Sequence, residues 1–129
     1  MLKKLFRRFN WLRDVREPAP ENDNATFELQ LGALQVGTLS RESGEWIFSY
    51  SDSFRAQNEV APIIDFPRTD RMYRSKDLWP FFALRVPSLT QANVQRYLKR
   101  NGKTEVDTAD LMQEFGKKSA ANPFVLESV

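Results

Sequence analysis

The sequence contains no cysteine and no histidine. Without cysteine there is no disulfide, no thiolate nucleophile and no zinc–thiolate site. Without histidine there is no Ser-His or Cys-His nucleophilic system, no imidazole metal ligand and no imidazole general base. Neither phosphate-cradling pattern, G-x-G-x-x-G or G-x-x-x-x-G-K-[ST], is present. The five glycines stand apart at 32, 37, 44, 102 and 116, each where a turn or a helix end explains it. A carboxylate-only site survives these exclusions, but the acids are scattered, and no close pair at helical spacing lies beside an apolar pocket signal. Asp107 and Asp110 share a helix start, where the dipole accounts for their charge. The residues describe a small binding domain that needs no metal or cofactor, and not an enzyme.

What is present is a chain of 129 residues, the size of one domain, with 41% hydrophobic residues, enough for a core. Its pI of about 9.0 resembles that of a nucleic-acid binder. The placement of the charges says otherwise. Residues 1–16 carry six basic side chains and one acid, and residues 17–129 carry 13 basic and 16 acidic ones. The basicity belongs to a leader, and the body is slightly acidic. Leu2, Leu5, Phe6, Phe9 and Leu12 share one helical face, with Lys3, Lys4, Arg7 and Arg8 opposite. Arg7 and Arg8 interrupt the apolar stretch, so it is neither a signal peptide nor a transmembrane span. Three readings stay open: a helix docked on a partner or on its own body, a frayed arm, or membrane-surface contact by residues 1–16, the last not favoured. Residues 17–25, EPAPENDNA, read as a linker, so the division is leader and linker 1–25 and domain 26–129.

The domain begins with strand patterns. Phe27, Leu29 and Leu31 alternate with Glu28 and Gln30, and Gly32-Ala33 allows a turn. Val36–Leu39 is a second strand, Arg41–Glu45 a hairpin loop, and Trp46–Tyr50 a third strand. Pro62 and Pro67 bracket Ile63–Phe66, an extended segment suited to a sheet edge, and the polar stretch from Arg68 to Asp77 reads as a surface loop. Helices follow. The first starts at Ser75 or Asp77 and runs to Val86, with Pro80 in its first turn. Ser88 and Gln91 have capping-box spacing before a second helix that Asn101-Gly102 closes. Asp107 caps a third, which ends at Gly116, and Pro123–Leu126 is a returning strand. The predicted fold is α+β: a small antiparallel sheet, made of a three-strand meander plus a returning strand, with about three helices on one face.

One segment is dense in large side chains. Tyr73 to Ser88 reads YRSKDLWPFFALRVPS, with Trp79, Phe81 and Phe82 around Pro80 and with Arg74 and Arg85 flanking them. These cannot all face inward. Trp79 beside the proline is placed to project, and tryptophan is enriched in interface hot spots. Trp79, Phe82, Arg85, Arg74 and Tyr73 are the candidate partner-binding residues, with a core role the alternative for Phe82.

In this order the motifs resemble the N-terminal subdomain of HipA-type serine/threonine kinases, toxins of a bacterial toxin–antitoxin class. Val36-Gly37-Thr38-Leu39 looks like the family's V-G-x-L strand, and Phe48-Ser49-Tyr50 like its F-x-Y strand. Pro62–Pro67 is similar to its P-L-S-x-S-L-P stretch, Phe81-Phe82 with Pro87 to F-F-x-N-L-L-P, and Asp110–Gly116 to D-L-L-x-x-x-G. Leu84-Arg85-Val86 departs from the asparagine-containing pattern before that proline. The kinase portion is not in these 129 residues. A separate copy of the subdomain is similar to the HipS-type small proteins of tripartite HipB–HipS–HipT systems. That resemblance implies a cytoplasmic antitoxin that neutralises a HipT-like kinase, with a HipB-like helix-turn-helix protein joining through the complex. It also implies a tryptophan inserted at the kinase active site, for which Trp79 is the candidate. The alternatives are a detached lobe that completes or activates a split kinase, and an interaction subunit of a DNA-binding repressor complex. Direct nucleic-acid binding ranks low, because the body lacks a net basic charge.

Overall fold

A computed structural model describes residues 24–102 and 107–129. The leader helix, its membrane contact and nearly all of the linker fall outside the described residues.

Alternating apolar residues build the sheet. Its strands are β1 (Thr26–Leu31), β2 (Leu34–Glu42), β3 (Glu45–Tyr50), β4 (Tyr73–Ser75) and β5 (Val125–Ser128). The order is β4-β3-β2-β1-β5, with every pairing antiparallel. Register places Ser128, Phe27, Leu39, Phe48 and Tyr73 in one row across all five strands. Leu126, Leu29, Gly37 and Tyr50 form the next row of the same face. This face holds the core. Gly37 is required there, since a Cβ would lie 2.5 Å from the Ser49 carbonyl oxygen and 2.8 Å from the Phe48 ring. The opposite face carries mostly Glu, Gln, Ser and Thr.

The expected five-residue loop at Arg41–Glu45 is tighter. The strands run on to the Glu42–Glu45 pair, and only Ser43 and Gly44 turn, at φ 51° and 80°. Positive φ at both central residues matches the right-handed twist of the flanking strands.

Among the described residues, four short helices complete the domain. α1 (Asp52–Arg55) has no counterpart in the sequence reading; Ser51 caps it by accepting from the Phe54 amide at 3.0 Å. α2 (Pro80–Ala83) is a single turn, shorter than the predicted helix to Val86. Its N-cap, Trp79, makes no side-chain cap bond, and Pro80 occupies the first turn. Bonds from the Arg85 amide to Phe82 and from the Val86 amide to Ala83 then carry the chain to Pro87. α3 (Ala92–Arg100) starts without the predicted capping box, because the Ser88 hydroxyl bonds the Thr90 amide and Gln91 caps nothing. α4 (Thr108–Phe115) begins as predicted: Asp107 accepts from the Ala109 amide at 3.2 Å and also pairs with Arg41 of β2 at 3.2 Å.

Phe54 of α1, Phe82 of α2 and Ala109 and Met112 of α4 join the sheet's core. Val94 and Leu98 of α3 form a separate small cluster with Leu111 of α4. The predicted edge strand at Ile63–Phe66 is instead a turn, closed by the Phe66 amide donating to the Ile63 carbonyl at 2.8 Å. The edge strand beside β3 is Tyr73–Ser75, in the stretch read as a loop. Its short polar sequence carries no alternation signal; pairing with β3 makes it a strand.

Candidate protein-interaction site

Phe66 organises the site. It is fully buried, and its ring stacks on Phe48 at 4.3 Å. Two half-buried rings meet it edge-on: Tyr73 at 5.0 Å and Trp79 at 4.9 Å. Tyr73 arrives from β4, and its hydroxyl accepts from the Arg68 amide at 2.9 Å and donates to the Arg68 carbonyl at 3.1 Å. The Arg71 guanidinium lies over the Tyr73 ring at 5.2 Å. Trp79 arrives from the start of α2, where its carbonyl accepts from the Phe82 and Ala83 amides. It therefore does not project freely. It shows part of its ring to solvent from a rigid aromatic platform.

The structure separates the other three candidates. Phe82 is 0% exposed and touches Phe48, Phe66 and Phe81. In this fold it is core and not contact surface, because one turn of helix must turn one aromatic inward to hold itself on the sheet. Arg85 is 4% exposed. Its Nη1 donates to the carbonyls of Gly116 and Lys117, and its Nη2 to Asn122 Oδ1 and the Phe124 carbonyl, at 2.8–3.1 Å. It joins α2 to the chain leading into β5, and burial lowers its pKa from the ordinary arginine value. Arg74 is exposed but leaves β4 on the side opposite to Tyr73, where it pairs with Glu45 at 3.4 Å. Tyr73 and Trp79 thus share one surface, and Arg74 does not.

The sequence reading passed over Ile64. It is 92% exposed at the Ile63–Phe66 turn. Asp65 of the same turn accepts from the Phe81 amide at 2.9 Å, joining it to α2 beside Trp79. The two prolines flanking this segment were the available signal. Leu84, at the end of α2, is 67% exposed. A cavity of about 230 Å³ adjoins the same segment, lined by Leu78, Ala83 and Val86 together with Arg41, Trp46, Lys76, Asp77 and Thr108. Its charges offset one another: Arg41 pairs with Asp107, and Lys76 is next to Asp77 in sequence. Among the described residues no helix is long and apolar enough to cross a membrane.

The five-stranded antiparallel sheet with short helices defines a small α+β domain. The chain belongs to the HipA N-terminal domain family, whose model matches residues 28–120. A solved structure described as the N-terminal domain of HipA toxin matches with a TM-score of 0.53 and 18% sequence identity. The match covers 81% of this chain and 92% of that one, and at this identity it speaks for the fold. No curated protein matches the sequence.

Proposed function

We propose that this chain is a cytoplasmic, HipS-like antitoxin that binds and neutralises a HipT-like serine/threonine kinase. One observation carries the reading: a HipA N-terminal domain that holds Trp79 half-buried at the start of α2, backed edge-on by the buried Phe66. A pre-positioned aromatic lowers the ordering cost of binding. Trp79 enters the kinase active site and blocks it, with Tyr73, which meets the same Phe66 ring, beside it. The chain does no chemistry of its own; without histidine or cysteine it lacks the commonest nucleophile–base pairs. Residues 17–129 are net acidic, so the complex reaches DNA through a HipB-like helix-turn-helix protein.

The test is co-expression with a HipA-like kinase encoded beside this chain. The parent chain restores growth, and Trp79→Ala loses neutralisation while circular dichroism shows a folded domain. Trp79→Ala that protects as well as the parent removes Trp79 as the anchor. A kinase more active with the chain present identifies a detached activating lobe instead.

A further inference from the structure

We infer that the cavity between Trp46 and α2 is a second contact of the kinase interface, taking one neutral amide side chain, a glutamine or an asparagine, from the partner protein. This contact rests on the kinase-binding reading above and adds to it a site and a partner chemistry.

The cavity has the size of a slot for one side chain. Its volume of about 230 Å³ falls below the range of about 300–1,000 Å³ usual for small-molecule pockets. Trp46 and Thr108 are buried and form its floor, and Ala83, Lys76 and Asp77 are exposed at its mouth. Arg41 lines it with a side chain only 11% exposed. Its guanidinium lies over the Trp46 ring at 4.8 Å, and Nη1 donates to Asp107 at 3.2 Å. That bond uses one of five N–H donors. Among the described residues nothing accepts from Nη2 or from the buried Nε. Arg85 is the contrast, with four bonds from its guanidinium. The Thr108 hydroxyl makes no hydrogen bond among the described residues either. Buried donors without acceptors are uncommon in folded proteins.

Register puts the cavity next to the Trp79 platform. Trp46 pairs with Ser75 and Phe48 with Tyr73, all four on the same face of the sheet. The two pairs are one strand step apart, about 7 Å. Trp46 walls the cavity, and Phe48 backs Phe66, on which Trp79 and Tyr73 pack. Leu78, also in the wall, directly precedes Trp79. A protein seated on Trp79 therefore covers the mouth and shuts these donors away from water, unless it brings an acceptor of its own. The charges decide which acceptor. Arg41 is matched by Asp107, and Lys76 is offset by Asp77 beside it, so an added carboxylate or ammonium enters without a counter-ion. An amide is neutral and carries an acceptor and two donors. Its oxygen meets Arg41 Nη2, its NH2 group meets an oxygen of Thr108 or Asp77, and its methylene stem lies on Leu78 and Val86.

The experiment titrates the full chain into the kinase of the co-expression test, by calorimetry at low and high salt, with Ala83→Leu and Thr108→Val as variants. Ala83→Leu fills the mouth, and Thr108→Val keeps the shape and removes the hydroxyl. Thermal unfolding of each free chain is measured alongside. The expected result is about tenfold weaker binding for Ala83→Leu and about fivefold weaker for Thr108→Val, at both salts and with unchanged midpoints. Parental affinity in either variant overturns the proposal and leaves the Trp79 reading standing. A loss that disappears at high salt assigns the cavity a charged side chain and overturns the neutral one. Lower midpoints in both variants make the two residues structural and overturn it too; where one midpoint alone falls, the other variant decides. A free chain whose midpoint rises with millimolar glutamine holds a small-molecule site there, which also overturns the proposal. A parent chain that binds no kinase overturns both readings together.

Discussion

The hydroxyl of Tyr50 donates to the carbonyl oxygen of Phe66 at 2.7 Å inside the core. The tyrosine is thereby a strut between the sheet and the turn that presents Ile64, since the same oxygen accepts from the Ile63 amide. Its ring also stacks on Phe54 at 4.6 Å, which fixes α1 against β3.

Tyr50→Phe keeps the ring and removes the strut. The buried Phe66 carbonyl loses its side-chain donor and the Ile63 amide its acceptor, so the variant is destabilised by about 2–3 kcal/mol. Urea unfolding checks this as a lower midpoint with an unchanged slope. An unchanged midpoint means that these groups find other partners.

Burial pushes the Tyr50 hydroxyl up from 10.0 to about 12. The unfolded chain releases that proton near pH 10, and the folded chain holds it to about pH 12. This contribution to stability is complete below pH 10 and is lost as pH rises from there through 12. The unfolding temperature, followed from pH 9 to 12, falls over that window. In Tyr50→Phe the fall is shallower, and equal slopes in both proteins exclude Tyr50 as its source.

Arg85→Met removes four hydrogen bonds, three of them to backbone carbonyls that the variant leaves buried or half-buried. The expected loss is about 3–5 kcal/mol. Arg85→Lys does not restore it, because one ammonium cannot span the acceptors that a planar fork reaches. Denaturant unfolding of both variants supplies the test. Loss of partner binding in either one follows its loss of fold, and a folded Arg85→Met that fails to bind contradicts this placement.

The legible parts of the chain were local ones. Alternation at Phe27–Leu31, the aromatic and β-branched run at Trp46–Tyr50, the Asp107 cap and the Gly116 stop each carry their instruction within a few residues. α1 was not legible, since four residues with one buried side chain, Phe54, leave no periodic signal. β4 was not legible because Tyr-Arg-Ser has no apolar alternation. Arg85 looked like a surface charge beside aromatics. Its acceptors lie 31 to 39 residues further along, a relation no local pattern expresses.

By themselves the residues determined an α+β domain with a meander and a returning strand. They also determined the absence of thiol and imidazole chemistry. These follow from alternation, turn chemistry and composition, all short-range or additive. The tertiary structure alone decided the fate of residues 62–85: Phe82 and Arg85 inward, Trp79 and Tyr73 half out, Arg74 on the opposite face and Ile64 fully exposed. Every large side chain in that stretch is suited to both a core and an interface. Which one it joins depends on Phe66, Tyr50 and the chain leading into β5, brought close only when the sheet closes over its core.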